Sequence, residues 1–106
     1  MARGDVHAVS PPRGRRGHEQ RGRRYAVVVQ GDALEGLSTV VVAATSTRVL
    51  PVSYRPRIEI AGKATHVLVE QLYAVDPARL GPRVGRLPWD EMRAVDEALK
   101  IVLGLL

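Results

Sequence analysis

The chain has 106 residues, a formal net charge of +5 and an isoelectric point near 10.4. That length fits one domain over residues 1–106, with a modest core and no room for a separate cofactor-binding unit. The lack of cysteine excludes disulfides, thiolate catalysis and cysteine-ligated metal centres. His7, His18 and His66 are too scattered for a metal motif. Neither a signal peptide nor a membrane-spanning run is present, so a cytoplasmic protein without metal or cofactor is expected.

Charge is placed unevenly. Of the basic residues, 14 are arginine and 2 lysine. Residues 1–30 carry seven arginines against two acids, whereas residues 90–97 carry four acids against one arginine. The partner surface is therefore expected in the N-terminal part. An arginine bias suits bidentate phosphate recognition.

In chain order, Asp5–Val9 alternates weakly and reads as a first short strand. Residues 11–23 read as a loop without an apolar residue, broken by Gly14, Gly17 and Gly22. Tyr25–Gln30 is the second strand, Gly31–Ser38 a polar loop and Thr39–Ala44 a third strand, apolar throughout and so buried on both faces or central. A fourth strand is read at Arg57–Ile60, a turn at residues 61–64 and a fifth strand at His66–Leu72, which Tyr73–Val75 either continues or follows as a separately paired segment. Asp76–Leu80 suits a helical turn. Pro88 opens a long helix, with Asp90 and Glu91 at the positive end of its dipole and Met92, Val95, Leu99, Val102 and Leu106 as its apolar stripe. Many short strands followed by one amphipathic helix give a mainly β (α+β) fold, a small antiparallel barrel with a C-terminal helix packed on it.

The chemistry concentrates where the loop meets the second strand. Six arginines fall between Arg13 and Arg24, with Glu19 the one acid among them. Arg24 opens a strand, so its backbone is ordered and its guanidinium can hold a phosphate at a fixed place. The other loop arginines supply salt-dependent attraction to nucleic acid. Cutting RNA without metal requires a base for the 2′-hydroxyl, a cation for the phosphorane and a proton for the 5′-oxygen. Arg24 suits the second task. Thr45 or Ser46 can position the phosphate, and His18, Glu19 or Glu70 can move protons. Glu70 and Gln71 interrupt an otherwise apolar strand, so a buried acid there needs a cationic partner, for which Arg24 is the expected choice. His7 and His66 sit within strand patterns and read as structural. The residues by themselves lead to a small basic antiparallel domain that binds nucleic acid, with RNA cleavage open.

Taken together, Arg3-Gly4-Asp5-Val6, the segment Gly17–Arg24, the segment Thr39–Ser46 and Val69-Glu70-Gln71-Leu72 followed by Val75-Asp76 resemble, in order and spacing, the MazF/PemK-type toxin family of bacterial toxin–antitoxin systems. The resemblance implies an SH3-like barrel acting as a homodimer. It also implies metal-independent, sequence-specific cleavage of single-stranded RNA (mRNA, tRNA or rRNA) to 2′,3′-cyclic phosphate and 5′-hydroxyl ends. The implied partner is a cognate antitoxin whose acidic, disordered C-terminal segment covers the RNA groove. The family's catalytic positions fall on Arg24 and Ser46, with His18 and Glu70 where some members place a loop histidine and a late-strand acid. RNA contacts are expected from Glu19, Gln20, Arg21, Arg23, Tyr25, Thr45 and Gln71. Two positions depart from the family: Tyr25 replaces a proline after the strand-opening arginine, and Leu68 stands where some members have a second arginine. A gyrase-poisoning toxin of the same fold and a non-catalytic RNA-binding module are the competing readings.

Overall fold

Valine and isoleucine dominate the strand segments, and β-branched side chains pack best on a pleated, half-buried surface. The computed structural model describes residues 1–9 and 24–105. In it these segments form β1 (Asp5–Val9), β2 (Arg24–Val28), β3 (Val40–Ser46), β4 (Arg57–Ile60), β5 (Lys63–Val75) and β6 (Leu80–Arg86), followed by α1 (Trp89–Leu103). All strand pairs are antiparallel, in the order β4-β5-β3-β2-β1-β6, and the sheet curls into a nearly closed barrel. This is the barrel-and-helix architecture expected from the sequence.

The sheet is buried on both faces. On one face Val6, Val27, Ala43, Ile58, Ile60, Val67 and Val69 pack with Val95 and Ala98 of α1. On the other, Ala26, Val28, Val40, Val42 and Val75 form a smaller cluster. The side chains of Ile58, Val27, Val28, Val42, Val67, Val69 and Val95 are less than 2% exposed. Burial of a side chain of this size contributes about 1.5–3 kcal/mol. Continuous apolar runs in β2 and β3 follow from this two-sided burial, because alternation is lost when neither face meets water.

Local signals set the connections. Ile60 and Lys63 close β4 onto β5 through Ala61 (φ 52°) and Gly62 (φ 80°), the two consecutive left-handed residues of a primed hairpin turn. Pro88 caps α1, and Asp90 and Glu91 occupy its first turn. Gly104 ends the helix at φ 69°, while the Leu105 N–H donates to the Lys100 carbonyl at 2.9 Å. The Glu91 carboxylate also accepts from the Glu59 backbone N–H at 3.1 Å, tying the start of α1 to β4.

Three features add to or differ from the sequence expectation. β5 is one strand of 13 residues, starting at Lys63; of the two readings open for Tyr73–Val75 the continuation holds, and the strand's pairing with β3 shifts register between Ala43–Leu72 and Ala44–Leu68. That bulge takes Glu70 and Gln71 out of the strand's alternation, which is how polar residues fit inside an apolar run. β6, which the sequence left unassigned, is an edge strand. Its exposure pattern and Gly81, Pro82 and Gly85 hide the usual periodicity, and proline is tolerated at an edge. The seat of the helical stripe ends at Leu99, because Ile101, Val102, Leu103 and Leu105 are exposed. Leu106 lies outside the described residues.

Candidate nucleic-acid interface

The sheet face opposite α1 carries a cleft of about 800 Å³. Register explains which side chains meet there. β2 pairs with β3 through Ala26–Ala44 and Val28–Val42, so extending the ladder by two residues sets Arg24 opposite Ser46. Alternation then turns both toward the cleft, together with Leu68 and Tyr73 of β5. Arg48, Asp76 and Arg79 complete the polar lining, with Val9 and Val75 as apolar walls.

Of the residues singled out in the sequence, Arg24, Tyr25, Thr45, Ser46 and Gln71 all line this cleft. They differ in what they have to offer. The Thr45 hydroxyl is buried and donates to the Tyr25 carbonyl at 2.9 Å, a bond that fixes β3 against β2. Tyr25 also packs against the helix-side core. The Ser46 oxygen accepts the Arg48 N–H at 3.1 Å, leaving its own proton for another acceptor. Among the described residues no carboxylate lies within ion-pair distance of Arg24, Arg48 or Arg79. The Asp76 carboxylate accepts the Ala78 N–H at 2.9 Å and caps the short helical turn Pro77–Arg79.

Glu70 stands apart from this wall. Its partner is Arg55 and not the expected Arg24, because the bulge aims it at the segment before β4. Arg55 donates through Nε at 2.8 Å and approaches through Nη2 at 2.7 Å, both to Oε2. Burial by itself would push the Glu70 carboxyl up. The Arg55 hydrogen bond, the local backbone N–H and the Arg55 charge outweigh burial and hold it below the ordinary carboxylate range. Glu70 Oε1 is enclosed without a partner among the described residues.

His18, Glu19, Gln20, Arg21 and Arg23 lie outside the described residues. His7 is buried, with Nδ1 2.9 Å from the Gly81 carbonyl, a strand-to-strand tie. His66 is the direct cross-strand neighbour of both Ser46 and Arg57, and its Nδ1 is enclosed without a partner among the described residues.

Sequence reasoning missed Arg48, Tyr73, Asp76 and Arg79. Tyr73 and Arg79 were hidden by their position past the bulge, where register with β3 could not be counted from the chain. Burial raises the Tyr73 phenol above its ordinary value, although nearby Arg24 and Arg79 pull it down. It therefore stays protonated at neutral pH.

A two-faced antiparallel barrel with a C-terminal helix and an arginine-lined cleft defines a class of small basic barrels suited to an anionic ligand. The chain belongs to the PemK-like, MazF-like toxins of type II toxin–antitoxin systems, whose family model matches residues 2–103. It is 40% identical over 106 residues to the candidate toxin Rv3098A of Mycobacterium tuberculosis (strain ATCC 25618 / H37Rv), covering 99% of each chain. Among solved structures it is similar to an endoribonuclease in complex with its cognate antitoxin from Mycobacterial species. That match has a TM-score of 0.82 and 18% identity, covering 100% of this chain and 97% of the other. MazF from Deinococcus radiodurans gives a TM-score of 0.76 and 22% identity over 98% of this chain and 96% of the other. At these identities the structural likenesses establish the fold.

Proposed function

We propose that this toxin is a sequence-specific endoribonuclease that cleaves single-stranded RNA without a metal ion, using the whole chain as one domain. The observation that carries the proposal is the meeting of Arg24, at the start of β2, and Ser46, at the end of β3, on the wall of one cleft, where none of the described carboxylates lies within ion-pair distance of the arginines. The names of the structural neighbours, an endoribonuclease with its antitoxin and MazF, support it.

In this reading the cleft holds one phosphodiester against Arg24. The 2′-oxygen attacks phosphorus as its proton is taken by a side chain, and Arg24 offsets the charge of the phosphorane. The bond to the 5′-oxygen breaks and that oxygen receives a proton, leaving 2′,3′-cyclic phosphate and 5′-hydroxyl ends. The Ser46 hydroxyl donates to a phosphate oxygen. His18 is assigned to proton transfer, while Glu70 positions the segment before β4 through Arg55. Glu19, Gln20, Arg21, Arg23 and Gln71 extend the grip along the strand.

The antitoxin is assigned an acidic segment lying in the same cleft, where it would compete with RNA for Arg24 and Arg79. A second copy of the chain is assigned to the exposed Ile101, Val102, Leu103 and Leu105, since paired chains would cover that apolar end. Among the described residues no helix is long and apolar enough to cross a membrane, and a cytoplasmic site of action follows from the RNA substrate.

The test is purified protein on total bacterial RNA in EDTA, with Arg24→Ala alongside and 5′-hydroxyl ends mapped. Discrete cuts by the wild type alone are expected. Loss of cutting in EDTA would sink the metal-free mechanism. Intact RNA under every condition, with trapped cleaved DNA in a gyrase assay, would replace the nuclease by gyrase poisoning.

A further inference from the structure

Among the described residues two aromatic rings line the cleft, and they are held differently. Tyr25 packs back against the helix-side core, whereas register sets Tyr73 opposite Val42 on the face of Arg24 and Ser46. Tyr73 is 39% exposed, and among the described residues its hydroxyl makes no hydrogen bond. A tyrosine in a packed environment ordinarily finds a hydroxyl partner, so this ring is not held there by a structural bond. Leu68 and Val75 line the same cleft as apolar residues, together with Arg24 and Arg79. A partly exposed aromatic ring on a wall shared with two guanidinium groups suits a nucleotide, with the base on the ring and its phosphates on the cations.

We infer that Tyr73 is the base-stacking platform of the cleft and sets the preferred base at one nucleotide flanking the cut. The inference rests on the RNA-cleaving function proposed above. Val42, which Tyr73 faces, lies four residues of β3 from Ser46, about 13 Å of strand. The stacked base therefore belongs to a nucleotide within one or two steps of the scissile phosphate. Stacking strength grows with ring area, which favours a purine at that position.

The experiment first maps the wild-type cut motif in total RNA. It then measures binding of a matching oligonucleotide, made 2′-deoxy at the scissile nucleotide, to wild type, Tyr73→Phe, Tyr73→Leu and Tyr73→Ala. Phe is expected to bind within about threefold of wild type, and Leu and Ala to weaken binding about 5- to 150-fold. In cut maps, Leu and Ala are also expected to lose the purine preference at one flanking position. Leu fills most of the ring's volume, which separates lost stacking from a collapsed cleft. Wild-type behaviour of Leu and Ala in a protein that cuts RNA would overturn the role of Tyr73 alone. So would a loss in Phe as large as in Ala, because the hydroxyl would then matter more than the ring. A wild type that neither binds nor cuts RNA would overturn the function itself and this inference with it.

Discussion

Arginine does two kinds of work in this barrel, bracing the fold at some positions and standing in the cleft without an ion-pair partner among the described residues at others. Toward α1, Arg3 donates Nε to the Val29 carbonyl at 2.8 Å and pairs through Nη2 with Asp96, bracing the helix against the strand end. Arg55 is spent on Glu70, and Arg83 and Arg86 lean toward buried Asp5 at 3.4 and 3.9 Å. In the cleft, Arg24, Arg48 and Arg79 have no such carboxylate among the described residues. Charge that the fold has neutralised holds the fold; charge it has left unneutralised attracts an anion from outside. Composition alone could not separate the two sets, because all of these residues count equally toward +5.

The comparison breaks first at Arg24. Arg24→Ala removes the cation proposed to face the phosphorane and is expected to lower the RNA-cleavage rate by about 10²–10³-fold. Its stability to urea should move by no more than about 0.5 kcal/mol, since no ion pair of the described fold is lost. Arg3→Ala should do the reverse. Removing a partly buried donor to both a carbonyl and a carboxylate is expected to destabilise by about 1–3 kcal/mol in urea unfolding, with cleavage at low denaturant unchanged. Equal loss of activity in the two variants would erase the distinction between bracing and binding arginines.

Arg79→Ala sharpens it by a smaller step. As a phosphate contact without a catalytic task, Arg79 should change binding more than turnover. Affinity for single-stranded RNA should fall uniformly across sequences, and the slope of log K against log salt should decrease by about one ion. An unchanged salt slope would remove Arg79 from the interface.

Much of this division was legible in the chain. Strand content, the helix and the strand-opening arginine followed from β-branched runs, Pro88 with its acidic first turn, and the loop-to-strand junction at Arg24. Ser46 and Thr45 were visible as hydroxyls ending an apolar strand, although which of them was free was not. That depends on which hydroxyl meets the Tyr25 carbonyl, a matter of register. The partner of Glu70 and the place of Tyr73 were hidden for the same reason. Both depend on the bulge at residues 69–71, and nothing local announces where one strand inserts extra residues relative to its neighbour. Arg79 was read only as part of a turn, because its relation to the cleft is tertiary.

The finest test of the comparison is Glu70, an acid the sequence offered as catalytic and the fold has given to Arg55. Its folded pKa lies below the unfolded one, so the pair's stabilisation is fully present above the unfolded value of about 4.3 and fades as pH falls through the depressed folded value. Glu70→Gln keeps the shape and removes the charge. A small drop in Tm is expected at neutral pH, and the gap to wild type should close as the pH falls through the depressed folded value. If Glu70 only positions the segment before β4, the variant keeps the wild-type pH profile of RNA cleavage with at most a modest loss of rate. If it carries a proton in the reaction, one limb of that profile disappears while the stability gap stays small. The two outcomes separate because the structural role is read in unfolding and the chemical role in the shape of the rate profile.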